Sequence, residues 1–316
     1  MAAPGDTDTA TLGFEETYHS LHESLVGRVT ERDVVLVEGP DAASYLQGQC
    51  SQDLDGMAPG EGRRSLVLSP QGKLVALVRV VLLAPERFAV EVDAGYGETL
   101  AERLRRFKLR VKADLSQVRW RCAEVRGPVA LGLEPPSLSG VEAVVRSDDR
   151  FARGLDLLGP SAELPAGVPG GDPAAFEALR IEAGVPAMAS ELDEGVIPQE
   201  AGIVAETVSF TKGCFTGQEL VARLDARGNR VPRLLRGVVV VGVGPDRLPI
   251  VGSELETGER AVGALTSVGF SPRLGGAVGL AYVRREVAPP AALSLAVELA
   301  DGSVEQCHAE VRELPM

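Results

Sequence analysis

The segment Lys212-Gly213-Cys214-Phe215-Thr216-Gly217-Gln218-Glu219 sets one thiol between a cation and an expected helix start. Thr216-Gly217-Gln218-Glu219 fits the S/T-x-x-E capping box, which predicts a helix beginning at Thr216. Cys214 would then lie just outside a helix N-terminus, where unpaired N–H groups and the macrodipole favour an anion. Lys212 adds positive charge. These conditions lower a thiol pKa and make it a nucleophile or a metal ligand. The alternative for the same residue is a buried cysteine packing as a small hydrophobe. The remaining cysteines, Cys50, Cys122 and Cys307, form no close pair, so neither a disulfide framework nor a zinc ribbon is expected, and a reducing compartment suits them. Cys122 and Cys307 read as packing residues on β segments; Cys50 reads as a core cysteine, with a second thiol near the site as its alternative. His19 and His22, three apart near the start, read as a solvated pair, and no metal centre is expected.

The elements that must position these groups belong to a globular chain of 316 residues, 45% hydrophobic and 24% charged, with a formal net charge of −13. That charge argues against non-specific nucleic-acid binding, which needs a positive field over phosphates. Met1–Thr11 is acidic and lacks the basic and apolar regions of a signal peptide, so it reads as a loose tail. The greasiest run, Leu74–Ala84, is short and interrupted by Arg79, so no membrane span is expected and a cytoplasmic location follows by default.

Val34–Val37 reads as a strand stopped by Gly39-Pro40-Asp41, with Asp41 as cap for a helix over 42–47. Ser69-Pro70-Gln71-Gly72 predicts a hairpin between Ser65–Leu68 and Leu74–Leu83, and Phe88–Val92 is another strand. Glu98–Phe107 is an amphipathic helix with Leu100, Leu104 and Phe107 inward and a basic outer side at Arg103, Arg105, Arg106 and Lys108. Gly132–Gly171 reads as strands joined by loops. Asp172 as N-cap, Pro173 at N1 and Gly184 after Ala183 punctuate a second helix. The acidic loop 185–201 is long enough to be site-lining. From Leu234 onward, short β runs at 235–243, 260–267, 277–283 and 293–299 suggest a C-terminal barrel or sandwich. The expected fold class is α+β, with a tail and lead-in over 1–29, an α+β region over 30–231 and a barrel over 232–316.

Four segments together resemble the YgfZ-type branch of the aminomethyltransferase (GcvT) superfamily. They are Gly39-Pro40-Asp41 running into 46–53, Leu179–Pro186, Ile197–Ala201, and Lys212–Arg223. The stretches 263–267, Ser271-Pro272 and 279–283 look like the end domain of the same superfamily. The resemblance implies three subdomains in a ring around a central folate channel, with a C-terminal β-barrel packed on it. It implies that Glu182 faces the pterin of a tetrahydrofolate, since a carboxylate accepts two hydrogen bonds from the N3–H and 2-amino edge. Read from the residues alone, Glu182 is a helix-end carboxylate paired with Arg180 or solvent. Gln199 and Glu200 would line the same channel, and Lys212, Arg223 and Arg227 are candidates for the glutamyl tail.

The chain departs from the transferases of the superfamily at the first hairpin. Where they carry acids, it reads Ala76-Leu77. What the resemblance implies is therefore a reduced-folate-binding factor that supports iron–sulfur client or assembly proteins, with Cys214 as the working thiol and any effect on tRNA modification indirect. The competing expectations are a folate-dependent aminomethyltransferase or demethylase, with Asp53 or Glu200 as substitute base, and an interaction module with a vestigial folate pocket.

Overall fold

In the computed structural model, residues 11–134, 139–147, 153–258, 260–298 and 304–316 are described. The tail expected over Met1–Thr11 lies outside these residues except for Thr11. The chain opens with α1 (Phe14–Glu23), β1 (Val26–Glu38), α2 (Ala42–Gln49), the hairpin of β2 (Gly62–Leu68) and β3 (Leu74–Ala84), then β4 (Arg87–Asp93), α3 (Gly97–Arg106) and β5 (Asp114–Arg126). It continues through β6 (Ala143–Ser147), β7 (Gly154–Gly159), α4 (Pro173–Ala183), the single turn α5 (Val204–Thr207) and α6 (Gln218–Ala226). The last strands are β8 (Arg233–Val241), β9 (Glu254–Thr257), β10 (Arg260–Ser271), β11 (Gly276–Arg284), β12 (Ala291–Glu298) and β13 (Val304–Arg312).

The first seven strands make one antiparallel sheet in the order β2-β3-β4-β1-β5-β7-β6, and the last six close into a barrel, β10-β11-β8-β13-β12-β9. The fold is thus α+β with a C-terminal closed barrel. Because side chains alternate along a strand, each sheet face takes every second residue. One face presents Val35, Val37, Val78, Val80, Val90 and Val92 to a core shared with Leu46 of α2 and Leu100 and Leu104 of α3. That core runs on into the barrel wall at Leu235, Val278 and Leu280, so sheet and barrel are packed through one apolar body. The barrel interior is filled separately by Leu255, Leu265, Leu293, Leu295 and Val311. The opposite sheet face begins apolar, at Val34, Leu36, Val81 and Trp120. Further along the same strands it becomes charged.

Local signals explain the clearest elements. Asp172 caps α4 by accepting from Ala174 N at 2.7 Å, with Pro173 in the first turn and Gly184 in the left-handed region at its end. Two expectations need correction. The capping box at Thr216–Glu219 does not form: α6 begins at Gln218, with Gly217 as N-cap at φ 84°. Thr216 instead ties back to α2, its N–H donating to Gly48 O at 3.1 Å and its hydroxyl to Gln49 Oε1 at 3.5 Å. Arg103 is not on an outer face: it is buried, donating to Leu68 O at 2.9 and 2.7 Å and to Gln49 Oε1 at 3.1 Å. Among the described residues, no helix is long and apolar enough to cross a membrane.

Candidate functional site

The charged sheet face lines a cavity of about 520 Å³. Its floor is built by strand alternation: Arg28 and Arg32 from β1, Leu77 and Arg79 from β3, Glu91 and Asp93 from β4, Cys122, Glu124 and Arg126 from β5, and Asp156 from β7. Arg64, Arg146, Arg180 and Glu206 complete the charged lining, and Val185, Pro186 and Ala187, from the start of the long acidic loop, close one side. The lining therefore holds seven arginines and five carboxylates.

The ions are arranged as a relay across the strands. Arg79 bridges Glu91 and Asp156. Arg126 meets Asp156 at 2.6 Å, Arg28 meets Glu124 at 3.0 Å, and Arg32 holds Asp93. Burial works to raise the Asp156 pKa, but Arg126 and Arg79 outweigh it and hold the carboxyl well below its usual range. Glu124 is likewise held down by Arg28 and Arg126 against the effect of burial. Glu206 lies 3.8 Å from Arg64. Each of the five carboxylates thus has a guanidinium within 4 Å. Asp156 and Glu124, held down in this way, stay ionised and are weak bases. Cys122, under the same floor, is pushed well up by burial first and by Asp156 next, so its thiol stays protonated.

The second assembly is the thiol loop. Of the four free cysteines, Cys214 is the exposed one, and it makes no hydrogen bond among the described residues. Lys212 holds the loop in place. Its ammonium donates to the carbonyls of Gln47, Cys50 and Gln52 at 2.7, 2.8 and 2.8 Å, which uses all three of its protons. Burial lowers its pKa. Two glycines fix the other side. A Cβ on Gly217 would sit 2.5 Å from Ser69 O, and one on Gly72 (φ 79°) would sit 2.5 Å from Leu220 Cβ. Only residues without side chains let the β2–β3 hairpin tip and the start of α6 approach this closely.

The site residues expected from sequence fall in four places, none of them in the cavity lining. Glu182 sits where α1, α4 and the barrel meet. Its carboxylate accepts from Tyr18 Oη at 2.6 Å and from Arg273 at 2.7 and 3.1 Å, while Met316 N donates to its carbonyl at 2.8 Å. Burial, then the Glu182 carboxylate, pushes the Tyr18 pKa up to about 12. Arg180 pairs with Glu177 and Glu191, not with Glu182. Glu200 is buried against Arg233 at 3.1 Å, and Gln199 donates to Val221 O at 3.2 Å. Lys212 is the loop clamp just described. Arg223 and Arg227 lie exposed on and just after α6. The cavity arginines and their acids went unread as a site, although they share one signal: Arg28-x-Thr30-x-Arg32, Glu91-x-Asp93 and Cys122-x-Glu124-x-Arg126 put polar groups on alternate positions of strands.

Comparison with known proteins places this chain in a family. Residues 233–316 match the family model of the glycine cleavage T-protein C-terminal barrel domain. The chain is 30% identical to the tRNA-modifying protein YgfZ of Edwardsiella ictaluri, over 70% of this chain and 71% of that one. It is 28% identical to the mitochondrial iron–sulfur cluster assembly factor IBA57 homolog of Chaetomium globosum, over 84% and 73% of the two chains. The crystal structure of the glycine cleavage system aminomethyltransferase T from Bartonella henselae superposes with a TM-score of 0.73 at 20% identity, covering 96% of this chain and 89% of that one. That last likeness is one of fold.

Proposed function

Because this chain belongs to the glycine cleavage T-protein (aminomethyltransferase) superfamily, we propose that its arginine-lined cavity holds a reduced folate and that the protein serves iron–sulfur enzymes as a folate-binding factor. A cavity of about 520 Å³ is within the usual size range of cofactor pockets. Leu77, Val185 and Pro186 offer apolar contact for a ring system, and Arg64 and Arg146 offer guanidiniums for glutamyl carboxylates. The chemistry supplied by a bound reduced folate is one-carbon carriage.

The observation that carries the choice of factor over transferase is the state of the cavity acids. Leu77 lines the cavity where the transferases of the superfamily hold a carboxylate, and Ala76 is fully buried in the core. Every carboxylate that does line it is matched to an arginine. With a guanidinium within 4 Å of each of them, the lining offers the aminomethyl-transfer step no unpaired carboxylate as proton acceptor. Asp53 and Glu200, considered as substitutes, lie outside the lining. We expect the purified protein to form no methylene-tetrahydrofolate above background from N-methylated amino acids or an aminomethylated lipoyl carrier. Turnover in that assay would establish the transferase reading instead.

Glu182 separates two versions of the folate site. Glu182→Ala leaves Tyr18 and Arg273 without their shared acceptor and should cost about 2–3 kcal/mol of stability. Folate affinity should change by less than about twofold, since the residue does not line the cavity. A large loss of folate affinity at unchanged thermal midpoint would put Glu182 on the ligand. Thermal unfolding and equilibrium folate binding of the same variant decide it.

A further inference from the structure

Within a chain of 45 acids and 32 bases, residues 103–112 hold six lysines and arginines and no acid. Arg103 turns inward, as described. The other five (Arg105, Arg106, Lys108, Arg110 and Lys112) follow the end of α3 into the lead of β5. Arg105 lies 3.3 Å from Glu98 in an exposed pair, and among the described residues no ion pair involves Arg106, Lys108, Arg110 or Lys112. Leu109 sits in the middle of them and is 78% exposed, more than any other large hydrophobic side chain among the described residues. Arg110, beside it, adopts a left-handed backbone at φ 57°, a conformation that costs free energy in a residue with a Cβ.

The strip is held rigid at both ends. Arg103 anchors the helix end to Leu68 O. At the far end, Lys112 N donates to the Asp41 carboxylate at 2.7 Å and Lys112 O accepts from Asp41 N at 3.2 Å. Beside it opens a groove of about 450 Å³, with Pro70, Leu74 and Phe107 in its apolar part, Lys73 and Arg106 among its cations, and Glu102 and Glu194 as its acids. Four cations in no ion pair among the described residues, an apolar side chain displayed among them and a backbone fixed at both ends together make a preorganised docking edge.

We propose that the edge from Arg105 to Lys112 docks an acidic segment of a partner protein, with an apolar residue of that segment on Leu109 and an uncharged continuation in the groove beside Arg106 and Phe107, where Glu102 and Glu194 disfavour further acids. Charge complementarity requires an anionic partner. A polynucleotide is disfavoured, because its closely spaced phosphates would also meet Glu98 and Glu102 on the same helix and the field of a −13 chain. One exposed leucine is too little apolar surface for a bilayer. Acids spaced along a protein chain can match the cations singly, with uncharged residues set against Glu98 and Glu102. The inference does not rest on the folate reading.

The test uses the full chain and a fluorescently labelled peptide of repeated Glu-Leu-Asp units. The expected result is saturable binding that weakens about tenfold between low and physiological salt. Combined Arg106→Glu, Lys108→Glu and Arg110→Glu substitution should weaken it by at least about tenfold, and Leu109→Ser alone by about threefold to tenfold. These side chains are on the surface, so thermal midpoints should match wild type, and Leu109→Ser keeps the test open if the triple variant folds poorly. Equal peptide affinity in wild type and Leu109→Ser would overturn the proposal. So would tighter binding of single-stranded RNA or of phosphatidylserine vesicles than of the peptide.

Discussion

Cys214→Ser should reduce support of iron–sulfur enzyme activity, in cells lacking the native protein, to less than about a tenth of the wild-type level. Its thermal midpoint and folate affinity should stay at wild-type values. The side chain is exposed and makes no hydrogen bond among the described residues, so serine removes only the soft, polarisable sulfur. Nothing in the packing depends on it. Cys307→Ser is the matched control and should leave support unchanged, as that thiol is only half-exposed and is pushed up by burial and Glu305. The electrostatic setting expected from sequence is altered, because Lys212 gives its protons to three carbonyls and α6 starts later than expected. The role proposed for Cys214 therefore rests on its exposure and on a loop clamped by Lys212, Gly72 and Gly217. Full activity of the serine variant would remove the thiol from the function.

Asp156→Ala should destabilise the fold by about 3–5 kcal/mol. The carboxylate is the joint partner of Arg79 and Arg126 on the cavity floor, and its removal leaves two buried guanidiniums facing each other. In a protein of this size the midpoint should fall by on the order of ten degrees. The same pairing gives a signed pH dependence. A carboxylate held below its ordinary value of 3.8 contributes stability that is fully present above that pH. The contribution is lost as pH falls through the lower folded-state value. Asp156→Asn should flatten the acid limb of the stability curve below about pH 4 relative to wild type, which chemical denaturation at several pH values would measure. An unchanged acid limb would mean that the pair is not held as the geometry indicates.

How much of this was legible in the sequence depended on whether the deciding interaction was local. The helix over 173–183 was readable because its cap, its proline and its terminal glycine are all adjacent in the chain. The hairpin at 69–72 and four of the barrel strands were readable from turn residues and apolar runs for the same reason. The cavity was not. The first half of β1, Val26–Asp33, was passed over because Arg28 and Arg32 break its apolar pattern, yet those arginines face partners from β4 and β5 that only the folded sheet supplies. Thr216 was misread as a cap because its hydroxyl and N–H are claimed by α2, remote in sequence. Arg103 is the instructive case, since its place was available in principle. It lies between Leu100, Leu104 and Phe107 on the inward stripe, so helical spacing alone put it on the buried side.

Folate in the cavity is the claim on which the proposed function turns, and calorimetric titration of tetrahydrofolate into the wild-type protein and into Leu77→Trp tests it most directly. Leu77 lines the cavity, so an indole there takes up ligand space, and a thermal midpoint matching wild type shows that the neighbouring Arg79 pairs are kept. The expected result is micromolar binding by wild type, near −8 kcal/mol on the order of common cofactor affinities, weakened at least about tenfold in the variant. Absence of binding by a folded wild-type protein, or undiminished binding by Leu77→Trp, would contradict it.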